Sequence, residues 1–153
     1  MAKTEVKPCL RLDGENIIYE IDKEICWNIS VKSVEVVGEY TDSNGPYIED
    51  YFIVFVTAPQ HERYIASFYA CGRDLFLHDL GETLNCEINC GLCGSTDLDS
   101  RVMWPLSLVG KKLFDFVPVR SKSILGKIRQ WLSGECNIYF SAEVKKILKS
   151  GQS

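Results

Sequence analysis

Motifs that announce chemistry are missing from this sequence. It has no G-x-G-x-x-G stretch, no Walker loop, no G-x-S-x-G elbow and no H-E-x-x-H pair. The phosphate cradles, strained nucleophile turns and paired imidazole ligands that those spacings build are therefore excluded. Histidine is scarce, with two residues, His61 and His78. Apolar runs are short, and none approaches the roughly 18 residues of a membrane helix. The opening MAKTEVKPC lacks the apolar core of a secretory leader. Repeats, low-complexity tracts and Pro/Gly/Ser-rich linkers are also missing. We therefore expect a soluble cytoplasmic protein of one domain.

What is present fits a globular core. The chain has 153 residues, 46% hydrophobic and 25% charged. A domain of that size buries roughly 68–70% of its unfolded surface. The net charge of −4 is unevenly placed. Residues 1–100 hold 7 basic and 18 acidic side chains, a balance of −11. Residues 101–153 hold 10 and 3, a balance of +7. Such asymmetry can mark an anionic partner for the basic end. The preferred reading is that the two parts pack together and neutralise each other.

Residues 1–7 are expected to lack regular structure, 8–117 form a strand-rich acidic part, and 118–153 a helix-rich basic part. CLRL and NIIYEI flank Asp13-Gly14, a hairpin signal. In ICWNISVKSVEVVGEY, Ile25, Trp27, Ile29 and Val31 share one parity, while Val34, Val36 and Tyr40 share the other. Strand side chains alternate with period two, so the switch near Lys32-Ser33 demands a bulge, a bend or two strands. Asn44-Gly45 reads as a turn, and DYFIVFVT as a strand covered on both faces. RYIASFYA, RVMWP, KKLFDFVPV and CNIYF are further strands, with Pro105 and Pro118 at edges or ends. GRDLFLHDLGETL reads as a short helix stopped by Gly81. Ser123–Ser133 is the clearest amphipathic helix. Ser141 caps a final helix with Val144, Ile147 and Leu148 on one side.

The fold class expected is α+β: one bent antiparallel sheet or partly open barrel, a short inserted helix, and one or two C-terminal helices. Strands closed by a C-terminal amphipathic helix resemble the pleckstrin-homology-like plan, in architecture only.

Seven cysteines are present, and three of them, Cys86, Cys90 and Cys93, fall in NCEINCGLCGSTD. Their Cys-x3-Cys-x2-Cys spacing resembles the cluster-binding triplet of radical-SAM enzymes, over eight residues and in spacing alone. A zinc site would need these three with Cys71 or His78 as fourth ligand. The residues between the cysteines favour a different reading. Leu84, Cys86, Ile88, Cys90 and Leu92 alternate with polar Asn85, Glu87 and Asn89. In a strand, Cys86 and Cys90 stand about 13 Å apart, too far to share an ion. We expect a strand whose thiols are small buried hydrophobes, and no cofactor.

The remaining candidates are a Cys71–His78 nucleophilic pair, the carboxylates Glu49 and Asp50, and the cations Lys111, Lys112, Lys122 and Arg129. His61 is expected to be solvated. The expected function is a non-enzymatic binding module that acts by protein–protein contact. The first alternative is an anionic-ligand or lipid-headgroup binder using the four cations. The second is a thiol- or carboxylate-dependent enzyme. The overall acidity argues against a nucleic-acid partner, and a membrane surface is not the expected one.

Overall fold

Two tight hairpins open the chain. Asp13 pairs with Asn16 across Gly14-Glu15, joining β1 (Pro8–Asp13) to β2 (Asn16–Ile21). Gly14 has φ 60, the left-handed value that two-residue hairpin turns use. The second turn, Asp22-Lys23, has φ of 52 and 68 on residues that are not glycine. It leads to β3 (Glu24–Ser30), and the first sheet has the order β1-β2-β3. The computed structural model from which these positions come describes residues 7–41, 51–92, 99–118 and 136–150.

The pairing of β2 with β3 shifts register after Tyr19. Tyr19 meets Trp27 and Glu20 meets Ile25, so Cys26 is the extra residue. Such a bulge moves the preceding side chain to the opposite face. Trp27 packs against the core, while Ile25 is 57% exposed. The parity that grouped Ile25 with Trp27 in sequence is thereby corrected.

The face switch near Lys32-Ser33 is a 3-10 turn, Val31–Ser33, that carries the chain from one sheet to the next. The second sheet contains β4 (Val34–Thr41), β5 (Tyr51–Thr57), β6 (Glu62–Ser67) and β7 (Asp99–Trp104). Its order is β6-β5-β4-β7, antiparallel throughout. The run IVFV in β5 divides its side chains between two cores. Ile53 and Phe55 join one, Val54 and Val56 the other, and all four are fully buried. The first core lies between the two sheets and is covered by α1 (Arg73–Thr83) through Phe76, Leu77 and Leu80. The second lies on the opposite face of the second sheet. It is covered by α2 (Ala142–Ser150) through Val144 and Leu148, and by Leu113 and Phe114. β8 (Phe114–Pro118) and β9 (Cys136–Phe140) form a separate antiparallel pair. The Val144 amide donates to the Ser141 hydroxyl at 3.4 Å, so α2 has its expected cap. The result is one α+β domain of antiparallel sheets with no closed barrel among the described residues. The helix expected over Ser123–Ser133 and the turn at Asn44-Gly45 lie outside them.

The end of α1 also corrects the sequence reading. Gly81 lies inside the helix and is buried. The stop is Asn85, with φ 56. The Cys86 amide donates to the Gly81 carbonyl at 2.9 Å and the Asn85 amide to the Glu82 carbonyl at 3.2 Å, the paired bonds of a Schellman motif. Gly81 is required there for space, since a Cβ would stand 2.6 Å from the Cys86 carbonyl oxygen.

Candidate functional site

A fully buried carboxylate organises the site. Glu39 sits on β4 with no solvent exposure. The Tyr51 hydroxyl donates to its Oε2 at 2.9 Å, and the Gly91 amide donates to its Oε1 at 2.6 Å. Arg101, its cross-strand partner on β7, places Nη1 3.7 Å from Oε1. Arg101 Nη1 also donates to the Asn89 carbonyl at 2.8 Å, and the Leu92 amide donates to the Tyr51 hydroxyl at 3.2 Å. Burial and the Glu39 charge push the Tyr51 phenol far above its ordinary value.

These bonds hold the segment after α1 in place. Leu84 to Leu92 was expected as a strand, and its burial does alternate: Ile88 and Leu92 are buried, Cys86 and Cys90 half-buried, Asn85, Glu87 and Asn89 exposed. It joins no sheet, however. Side chains of β4, β5 and β7, Glu39 and Tyr51 buried and Arg101 partly exposed, take the bonds that a neighbouring strand would have taken. The alternation reported which residues face the core, not what satisfies the backbone. Glu39 itself escaped the sequence reading. No local signal marks it, because its burial depends on β5, β7 and the arm meeting around it.

Between this arm and α1 runs a groove of about 840 Å³. Leu77, Ile88, Cys86 and Cys90 contribute apolar lining, and Asp74, Glu82 and Glu87 contribute carboxylates. Asp74 and Glu82 have side chains 87% and 71% exposed. Among the described residues the lining holds one guanidinium, Arg73, and it is already engaged. Arg73 donates to the Phe68 carbonyl at 2.8 Å, pairs with Asp74 at 2.8 Å, and lies 3.9 Å above the Phe68 ring. His78 Nε2 is 3.3 Å from Glu82 Oε1. Among the described lining residues, three carboxylates stand against one paired cation, a negative balance.

The structure distributes the sequence candidates as follows. Cys71 meets Cys9, and His78 meets Glu82, so the proposed nucleophilic pair is assigned to two different partners. Among the described residues, His78, Asp79 and Glu82 are the group whose donor atoms converge, within 4.8 Å. Cys86 and Cys90 do not converge with Cys71 or His78, and Cys93 lies outside the described residues. Lys111 and Lys112 are exposed in the loop before β8, while Glu49, Asp50, Lys122 and Arg129 lie outside the described residues. His61, expected in solvent, is half-buried with Nδ1 2.9 Å from Glu35 Oε2. The β5–β6 turn folds back over β4, which brings the two together.

The fold and groove define an α+β domain, built on a three-stranded and a four-stranded sheet with a separate strand pair, that carries an acidic, apolar-floored cleft. No protein-family model matches the chain, and neither a curated protein nor a solved structure matches it.

Proposed function

We propose that this protein is a non-enzymatic binding module whose groove beside α1 receives a Lys/Arg-bearing segment of a partner protein. The supporting observation is the chemistry of the lining: apolar Leu77 and Ile88 below, exposed Asp74, Glu82 and Glu87 at the rim. An amphipathic cationic segment offers the matching pattern, with apolar anchors for the floor and ammonium or guanidinium groups for the rim. Glu39 and Tyr51 accept hydrogen bonds from the arm wall and Arg101 donates one to it, and a wall fixed in this way lowers the ordering cost of binding. Rim charges of this kind act mainly on encounter rate and selectivity.

The test is fluorescence anisotropy with a labelled amphipathic Lys/Leu peptide and its Glu/Leu counterpart. The Lys/Leu peptide should bind, more weakly as salt rises. The double variant Glu82→Lys/Glu87→Lys should lose about tenfold in affinity, equivalent to about 1.4 kcal/mol. Equal affinity for wild type and double variant, or preference for the Glu/Leu peptide, would remove the reading.

A further inference from the structure

The loop ahead of α1 lies against the first strand, and two cysteines meet there. Cys71 stands opposite Cys9 in a parallel bridge. The Leu10 amide donates to the Cys71 carbonyl at 3.0 Å, and the Cys71 amide donates to the Pro8 carbonyl at 2.8 Å. Hydrogen-bonded neighbours of this kind lie about 4.7–4.9 Å apart. That separation falls within the roughly 4.4–6.8 Å between Cα atoms that a disulfide spans. Partners in a parallel bridge direct their side chains to the same face, which places both thiols on one side of the bridge. Cys71 is exposed and Cys9 half-buried.

We propose that Cys9 and Cys71 are a reversible dithiol–disulfide site, oxidised by a low-molecular-weight disulfide of the glutathione type. The exposed Cys71 thiolate attacks one sulfur of glutathione disulfide and expels one glutathione thiolate. Cys9 then loses its proton to solvent and attacks Cys71 Sγ, expelling the second glutathione thiolate. Two protein thiols lose two electrons and two protons, and one glutathione disulfide becomes two thiols. The order of attack follows from access. Burial and the Cys71 neighbour push the Cys9 thiol up, which suits it to the second, intramolecular step. The bridge would tie β1 to the amino end of α1 and close a long loop through both sheets.

The full chain is equilibrated with graded mixtures of reduced and oxidised glutathione. Free thiols are then alkylated and the digest mapped by mass spectrometry. The expected product is a Cys9–Cys71 cross-linked peptide that disappears on reduction with dithiothreitol. Cys26, exposed and donating to the Glu24 carbonyl at 3.9 Å, should acquire at most a glutathione adduct. Oxidised wild type should melt roughly 5–10 °C above the reduced form, and Cys9→Ser should abolish that gain. Alkylated Cys9 alongside a glutathione adduct on Cys71, or Cys71 linked to another cysteine, overturns the proposal. The mapping uses wild-type protein, so it decides even where Cys9→Ser does not fold.

Discussion

Glu39 shows how one side chain can replace a strand. Its two oxygens receive the Tyr51 hydroxyl and the Gly91 amide, and Arg101 approaches from β7. Glu39→Ala would leave the buried Tyr51 hydroxyl and the part-buried Gly91 amide without this acceptor, and remove the carboxylate beside Arg101. Leaving a buried donor without its partner costs about 1–3 kcal/mol, against a typical total stability of about 5–15 kcal/mol. We expect a loss of that size in the unfolding free energy read from urea titration, and a smaller one for Glu39→Gln, which keeps an acceptor oxygen. Tyr51 adds a pH dependence. Its folded phenol is held above the ordinary value of 10.0, first by burial and then by the Glu39 charge. A raised pKa means that the stabilisation is fully present below pH about 10 and is lost as pH rises beyond it. The loss is up to about 1.4 kcal/mol per pH unit. Urea midpoints measured from pH 8 upward should therefore fall above about pH 10, and Tyr51→Phe should flatten that fall. None of this network was legible in the sequence, because its members lie up to 62 positions apart, from Glu39 to Arg101, and meet only through pairing.

At the scale of elements, local pattern located nearly every strand but not their joints. The Asp13-Gly14 hairpin, the capped α2 and the doubly covered β5 were all visible in residue order. The bulge at Cys26 was not, because an extra residue alters no local propensity. It shows only in the partner's register. The end of α1 is similar. Glycine is the common helix stop, yet here Asn85 takes the left-handed conformation and Gly81 makes room for the returning chain. Gly81→Ala tests this. A helix interior normally gains about 0.5–1 kcal/mol from that change, but the clash with the Cys86 carbonyl should reverse the sign. We expect a net loss of about 1–3 kcal/mol, read from thermal or urea unfolding. Net stabilisation would return Gly81 to the ordinary role of a replaceable helix residue.

For the whole molecule, the two cores meet through β5. Its inner residues Ile53 to Val56 are fully buried, with β4 and β6 on either side. Amides in such a strand open only with global unfolding. Hydrogen exchange followed by mass spectrometry should find the β5 peptide slowest and the β1 edge faster. Equal rates would mean that the two sheets unfold as one unit. The acidic field of the groove also belongs to this scale, since Asp74 and Glu82 come from α1 and Glu87 from the arm beyond its Schellman turn.

Residue order alone determined the α+β class, where the paired strands lie and which members of Leu84 to Leu92 face inward. Those properties follow from periodicity and from the transfer of apolar side chains out of water. The tertiary structure decided the rest: what satisfies the arm's backbone, the pairing of Cys9 with Cys71, the burial of Glu39 and the existence of the groove. Each depends on groups distant in the chain meeting in space, and no local pattern encodes which distant group will be there.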